Sequence, residues 1–452
     1  MSALEKALQH SKKKQIDECE IVSVKKNITT IRITDSEIAE IKQNFDESYG
    51  IRIIHNKKIA SIQTTKKENI EDYVDSAFST IPNLKPREFW QGLPTTAPST
   101  KIDGTFDEKI EKISGSEVMD IAQSMINSAN SEKINTITGS LNIVSELFEV
   151  TNSNGLSFND KATYISGIIN AESEQGTLPV SGIGHASGRT LANFSAEKIG
   201  INAKKMCIES INPKKIDSDT YDIIFEPYSV GELLSFVVSS NFDFKTFSEK
   251  KSCFSNNFDE EIAVNNFNLT DDPHIPEGVG TKIVDDEGIN TQKNDLIEDG
   301  VFKSTFSNLY DSYKENKSST GNGSRIGSPM GRSSEPITIS APHNLKIDEG
   351  NSSQEDMIKD TKHGILVGRL WYTYAVNPIK GDFSCTARSG VRIIEDGEIK
   401  NPGKTVRIIH NLPVMLKSIS DIGNNQQNVI QWASLPSITP SIKTEKIRVI
   451  SI

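Results

Sequence analysis

Cysteine is scarce in this 452-residue chain: Cys19, Cys207, Cys253 and Cys385 stand singly, with no Cys-x-x-Cys pair among them. That excludes a disulfide framework or a zinc knuckle and leaves buried small apolar side chains as the expectation. Long apolar runs are missing too. No stretch approaches the roughly 18 residues of a membrane helix, and residues 1–15, with their Lys12-Lys13-Lys14 run, show no apolar segment fit for a signal peptide. A cytoplasmic protein with no membrane partner is expected. Clustered positive charge is also wanting, since 50 basic residues are dispersed among 61 acidic ones for a formal charge of −11. A phosphate backbone is gripped by gathered Lys and Arg, so no nucleic-acid partner is expected. Nucleotide and nucleophile signatures are absent as well. The Gly-rich stretch Gly182-Ile183-Gly184-His185-Ala186-Ser187-Gly188 has the wrong spacing for a dinucleotide fingerprint, carries no P-loop Lys-Ser/Thr pair, and reads as a loop; no Gly-x-Ser-x-Gly elbow occurs.

What is present is the pattern of a folded α+β chain. Residues 3–14 read as a helix, and period-2 alternation over 20–24, 30–34, 50–54 and 58–62 reads as short antiparallel strands. Helices are predicted over 67–79 and 106–129, separated by a Pro/Thr-rich connection at 93–100. Strand pattern returns over 133–169, with Asn152-Ser153-Asn154-Gly155 as a tight turn. A helix over 195–210 and a buried strand over 220–225 follow. Beyond residue 258 short apolar runs alternate with Gly, Asn and Pro turns. The expected division is therefore an α+β amino-terminal domain, helices on an antiparallel sheet, over 1–257, and a β-rich, barrel- or sandwich-like carboxyl-terminal domain over 258–452. Within the latter, residues 316–344 form a long Ser/Gly/Asn/Pro-dense gap of the kind that is functional or mobile.

Three segments carry a family resemblance. They are Gly278-Val279-Gly280-Thr281-Lys282-Ile283-Val284-Asp285-Asp286-Glu287-Gly288-Ile289 with Leu296-Ile297-Glu298-Asp299-Gly300-Val301, then Ser319-Thr320-Gly321-Asn322-Gly323-Ser324-Arg325, then Asn377-Pro378-Ile379-Lys380-Gly381-Asp382-Phe383-Ser384-Cys385 followed by Gly390-Val391-Arg392-Ile393-Ile394-Glu395-Asp396-Gly397. In order and spacing they resemble the TldD/PmbA (TldD/TldE) metallopeptidase family. Gly321, Asn322, Gly323 and Arg325 are the candidates for peptide or partner binding, because the glycines admit close backbone approach and Asn and Arg can engage a peptide backbone or carboxylate.

Members of the TldD type carry a histidine-glutamate-x-x-x-histidine motif on a helix and a cysteine near the carboxyl terminus. Two imidazoles and a thiolate hold zinc there, and the glutamate activates the bound water. The corresponding segment here, Ser229-Val230-Gly231-Glu232-Leu233-Leu234-Ser235-Phe236, places Gly231 and Phe236 where the histidines stand and keeps only Glu232. The seven histidines are too far apart in sequence to pair on one helix, and residues 423–452 hold no cysteine. A site assembled from distant residues such as His274, His363 and Cys385 is the remaining route to a metal. The resemblance thus implies a subunit of the TldE/PmbA type, without catalytic residues or zinc of its own. It would pair with a TldD-like zinc peptidase, or with itself, and act on unfolded or small peptides. A self-sufficient peptidase with an unrecognised site and a regulatory protein-binding module are the alternatives.

Overall fold

Strict alternation along the first strands explains the amino-terminal half. The computed structural model describes residues 2–95, 102–430 and 435–452. Strands β1 (Glu18–Thr34), β2 (Glu37–His55), β3 (Lys58–Thr64), β4 (Thr136–Asn152), β5 (Ser157–Ser173) and β6 (Val180–Gly188) form one antiparallel sheet in the order β3-β2-β1-β4-β5-β6. Odd-numbered residues of β1, β2, β4 and β5, among them Ile21, Ile31, Ile51, Ile53, Leu141, Ile143, Ile165 and Ile169, bury against helices. Those helices are α1 (Ala3–Lys13), α2 (Ile70–Thr80), α4 (Gly115–Ala129) and α5 (Ala196–Ile208), with a one-turn α3 at Glu108–Glu111. Even-numbered residues point the other way. Val22, Val24, Val144, Phe148, Val150 and Tyr164 pack toward the second half of the chain, so the sheet is buried on both faces.

Local chemistry sets the helix boundaries. Ser2 with Glu5 and Ser114 with Glu117 make reciprocal capping boxes at the starts of α1 and α4. The second box divides the helix predicted over 106–129 into α3 and α4. The short strands predicted at 20–24 and 30–34 are parts of the single 17-residue β1, and the residues between them extend as strand because β2 and β4 pair along both edges. Most of the Pro/Thr-rich connection at 93–100 lies outside the described residues.

The remaining described strands build two larger sheets and one two-stranded pair, Gly323–Ser324 with Ile339–Ser340. Nine strands form one that curls into a half-barrel, in the order Arg369–Asn377, Asp382–Ser389, Val406–Asn411, Ile442–Ser451, β7 (Asp219–Phe225), His363–Val367, Arg392–Glu395, Glu398–Pro402, with Ile419–Ile422 paired to Ile442–Ser451. A six-stranded sheet of short strands packs near it, and an aromatic-rich core including Phe225, Phe242, Phe302, Phe306 and Phe383 fills the interior. β7 is bonded on one side to Ile442–Ser451 and on the other to His363–Val367. A strand flanked on both sides belongs to the sheet that encloses it. We therefore place the division between the two parts near residues 211–217, ahead of the 257/258 boundary read from sequence. No helix among the described residues is long and apolar enough to cross a membrane.

The Gly-rich segment at 182–188 is a strand, not the loop read from sequence. It is β6, and its glycines serve the helix beside it: a Cβ at Gly182 would collide with the backbone of Ala203 and Cys207, and one at Gly184 with that of Ile199. α5 lies directly on the strand because those positions carry no side chain. Gly184→Ala is expected to destabilise the protein by about 1–3 kcal/mol or more by overpacking this contact. Urea unfolding checks it, and an unchanged midpoint would contradict the close approach.

Candidate functional site

The segment read from sequence as the counterpart of the zinc helix starts at Glu226-Pro227, where proline at the first turn presets the helical φ without losing a bonded N–H. Helix α6 (Pro227–Leu233) then runs into a wider turn at Leu234–Val238. Gly231 is buried and offers no donor; Phe236 is partly exposed and offers none either. Glu232 lies between them, 3% exposed, and its Oε2 accepts the backbone N–H of Leu370 at 2.6 Å. Burial pushes its carboxyl up to about 8, opposed by that N–H and by the nearby Arg369 guanidinium. At neutral pH Glu232 therefore carries its proton.

Three more groups surround it. His185 meets Tyr228 in a tilted ring contact at 4.4 Å between centroids, and burial together with Arg369 lowers its pKa to about 4. Burial and the Glu232 charge raise the Cys385 thiol well above its ordinary value. His185, Glu232 and Cys385 are thus each held by their own burial and contacts. Among the described residues no three His, Cys, Asp or Glu side chains converge on a common point. His274 bonds Thr291 Oγ1 at 3.1 Å, His363 stacks on Tyr221 at 4.3 Å, and Cys385 sits beside Glu232, so the three do not share a site. Neither Gly231 nor Phe236 can offer an imidazole to a metal.

The loop 319–325 proves to be an internal strut. Asn322 is fully buried, its Nδ2 donating to Asp271 Oδ2 at 2.6 Å and its Oδ1 accepting from Thr320 Oγ1 at 2.7 Å. The Gly321 carbonyl accepts from His343 Nε2 at 2.7 Å, and Gly323 N–H donates to Asp285 Oδ2 at 2.8 Å. Arg325, 1% exposed, reaches Glu20 at 2.6 Å and the Glu335 carbonyl at 2.6 Å. These four residues bond to other parts of the same chain.

Arg325 belongs to a buried charge network that sequence reading missed. Glu20 is shared by Arg325 and Arg52, and Arg52 reaches Glu287 at 3.4 Å. Arg332 bonds Glu146 at 3.1 Å, Asp160 at 2.8 Å and Asp286 at 2.9 Å, while Lys26 and Lys282 approach Glu146 and Asp286. Glu20, Lys26, Arg52, Glu146 and Asp160 come from the even-numbered face of the first sheet, and their partners come from 282–332. A charge at an inward position of a strand was the available signal. Burial raises Asp286, but Lys282 and Arg332 outweigh it and hold its carboxyl below the usual range. Neighbouring Asp285 is driven well upward by burial and by Glu287.

Residues 218–451 match the family model described as PmbA/TldA metallopeptidase C-terminal domain, and residues 19–80 match its domain 1. The chain belongs to the PmbA/TldD metallopeptidase family. Similar members include an uncharacterized protein of Methanocaldococcus jannaschii, 25% identical over 81% of this chain and 82% of that protein. The metalloprotease PmbA of Escherichia coli O157:H7 is 22% identical over 90% of this chain and 88% of its own. The crystal structure of TldE from Thermococcus kodakarensis superposes with a TM-score of 0.89 at 24% identity, covering 99% of this chain and all of that one, which shows a shared fold. Within the PmbA/TldD fold, then, this chain presents a helix α6 without imidazoles and a 319–325 loop turned inward.

Two outcomes are expected. Arg325→Gln leaves Glu20 with one cation fewer in a buried setting and should cost about 3–5 kcal/mol in chemical denaturation; a loss under 1 kcal/mol would contradict the brace. Glu232→Gln should change how stability depends on pH. Below its ordinary value of 4.5 the carboxyl is protonated in both states; between 4.5 and about 8 only the folded chain holds the proton, so the wild type loses stability as pH rises. The Gln variant, which lacks that proton, should gain on the wild type by about 1.4 kcal/mol per pH unit across this window. Parallel stability curves would show Glu232 ionised.

Proposed function

We propose that this chain is an accessory subunit of a zinc peptidase complex of its family, working on unfolded or small peptides without supplying the metal. One observation supports the reading: where the family's zinc helix needs two imidazoles, α6 and the turn after it have Gly231 and Phe236 around a buried Glu232 that accepts the Leu370 N–H. A protonated glutamate without ligand neighbours cannot turn a metal-bound water into a nucleophile. The half-barrel also offers a surface for a second polypeptide. Its edge strand Arg369–Asn377 exposes Tyr372, Tyr374 and Val376, with Ile379 just beyond, and an unpaired strand edge carrying apolar side chains is a natural seat for another chain. The occupant in this reading is a TldD-like subunit with an intact histidine motif.

Purifying the chain alone and with such a partner, then measuring zinc content and cleavage of an unstructured peptide, tests the proposal. The expected outcome is no stoichiometric zinc and no cleavage by the lone chain, with activity on adding the partner. Stoichiometric zinc and chelator-sensitive cleavage by the chain alone would overturn it.

A further inference from the structure

At the junction of the two halves, beside α6 but opening away from it, lies a cavity of about 370 Å³. Its floor comes from the even-numbered face of β4 and β5, including Thr138, Asn170 and Glu172, and its wall from Arg369, Trp371 and Arg388. The wall is chemically unusual. Both guanidinium carbons lie 4.7 Å from the centroid of the Trp371 ring. Neither arginine side chain donates a hydrogen bond or forms an ion pair among the described residues, although Arg369 is only 4% exposed. The Arg369 Nε and the Trp371 Nε1 are buried without partners.

A buried guanidinium ordinarily has a carboxylate or several carbonyls around it, because removing the cation from water is costly otherwise. Every other buried arginine of the junction obeys that rule: Arg52, Arg325 and Arg332 meet carboxylates, and Arg189 is ringed by the carbonyls of Thr105, Thr163, Val279 and Thr281. Arg369 does not. The nearest acid behind it, Glu232, is turned to the Leu370 N–H. The acid across the cavity, Glu172, is exposed and accepts from Asn170 Nδ2 at 2.7 Å. Cation–π contact holds each guanidinium against the indole, and with no protein acceptor the guanidinium N–H groups suit a planar, bidentate acceptor.

We infer that this cavity is an oxyanion pocket, in which Arg369, Arg388 and the Trp371 indole receive the terminal carboxylate of a short peptide. Carboxylate and phosphate share the chemistry such a pair of arginines recognises. The choice of a peptide rests on the function proposed above, and the volume suits one or two residues. Glu172, at the opposite side, disfavours a multiply charged anion and leaves room for a neutral or amino-bearing end.

Calorimetric titration of the full-length chain, without any partner or cleavage assay, tests this independently of the accessory role. The probes are N-acetyl-trialanine as the free acid, the same peptide as its amide, and inorganic phosphate; the variants are R369Q and R388Q, the second at an exposed position that folding does not need. The expected result is binding of the free acid, at least tenfold weaker binding of the amide, and at least tenfold loss in either variant. Free acid should also raise the unfolding midpoint of the wild type and not that of R388Q. Phosphate binding with neither peptide bound would overturn the peptide assignment alone. Equal binding of acid and amide, no binding of any probe, or unchanged affinity in R388Q would overturn the oxyanion pocket.

Discussion

The structure depends on a sheet that must be buried on both faces while one of those faces carries charge. Helices cover the odd-numbered side of β1, β2, β4 and β5 with an ordinary apolar contact. The even-numbered side inserts Glu20, Lys26, Arg52 and Glu146 into the interior, where each would be ruinous unpaired. Arg52 and Glu20 pair with each other and Lys26 with Glu146, and residues 282–332 complete the network: Glu287 meets Arg52, Arg325 meets Glu20, and Arg332 meets Glu146 and Asp160 while Lys282 and Arg332 hold Asp286. Such a network adds little net stability over apolar packing, but it allows only one register of the two halves. That fixed register is what brings β4 and β5 opposite Arg369 and Trp371 and so creates the junction cavity.

The same constraint explains why the long Gly- and Ser-rich segment is bonded into the interior. Residues 319–325 are glycine-bearing because the chain must thread past other backbone. A Cβ at Gly323 would run into the Glu287 carboxylate, and Gly321 holds φ at +73° while closing on Asn290 and Thr291. Its polar residues face inward because carboxylates there require donors. The Glu232 carboxyl fits this frame as well, since a strand N–H satisfies one of its buried oxygens.

Much of the fold could be read from residues alone, and the reasons for success and failure are physical. The alternating segments of β1 and β3 and the capped helices α1 and α4 follow from local pattern. β2 did not announce itself in its middle, because Glu37 to Ser48 is largely exposed and polar and only pairing with β1 makes it strand. β6 read as a loop because its glycines answer to α5, a neighbour remote in sequence. The family's signature segments were recognisable. The inward role of Asn322 and Arg325 was not, since nothing in Ser319 to Arg325 says that Glu20, some three hundred residues earlier, lies against it. Arg369 was equally silent: an arginine next to a buried leucine in a strand looks like many others until the absence of a partner is seen in three dimensions.

Native-state hydrogen exchange most directly tests whether the charge network makes one cooperative unit of the two halves. Amides of β4 between Val144 and Val150 and those of the strand Ile442–Ser451 should open with the same free energy, through a single global transition. Separate exchange of β4 through a cheaper opening, with the half-barrel still protected, would contradict the account.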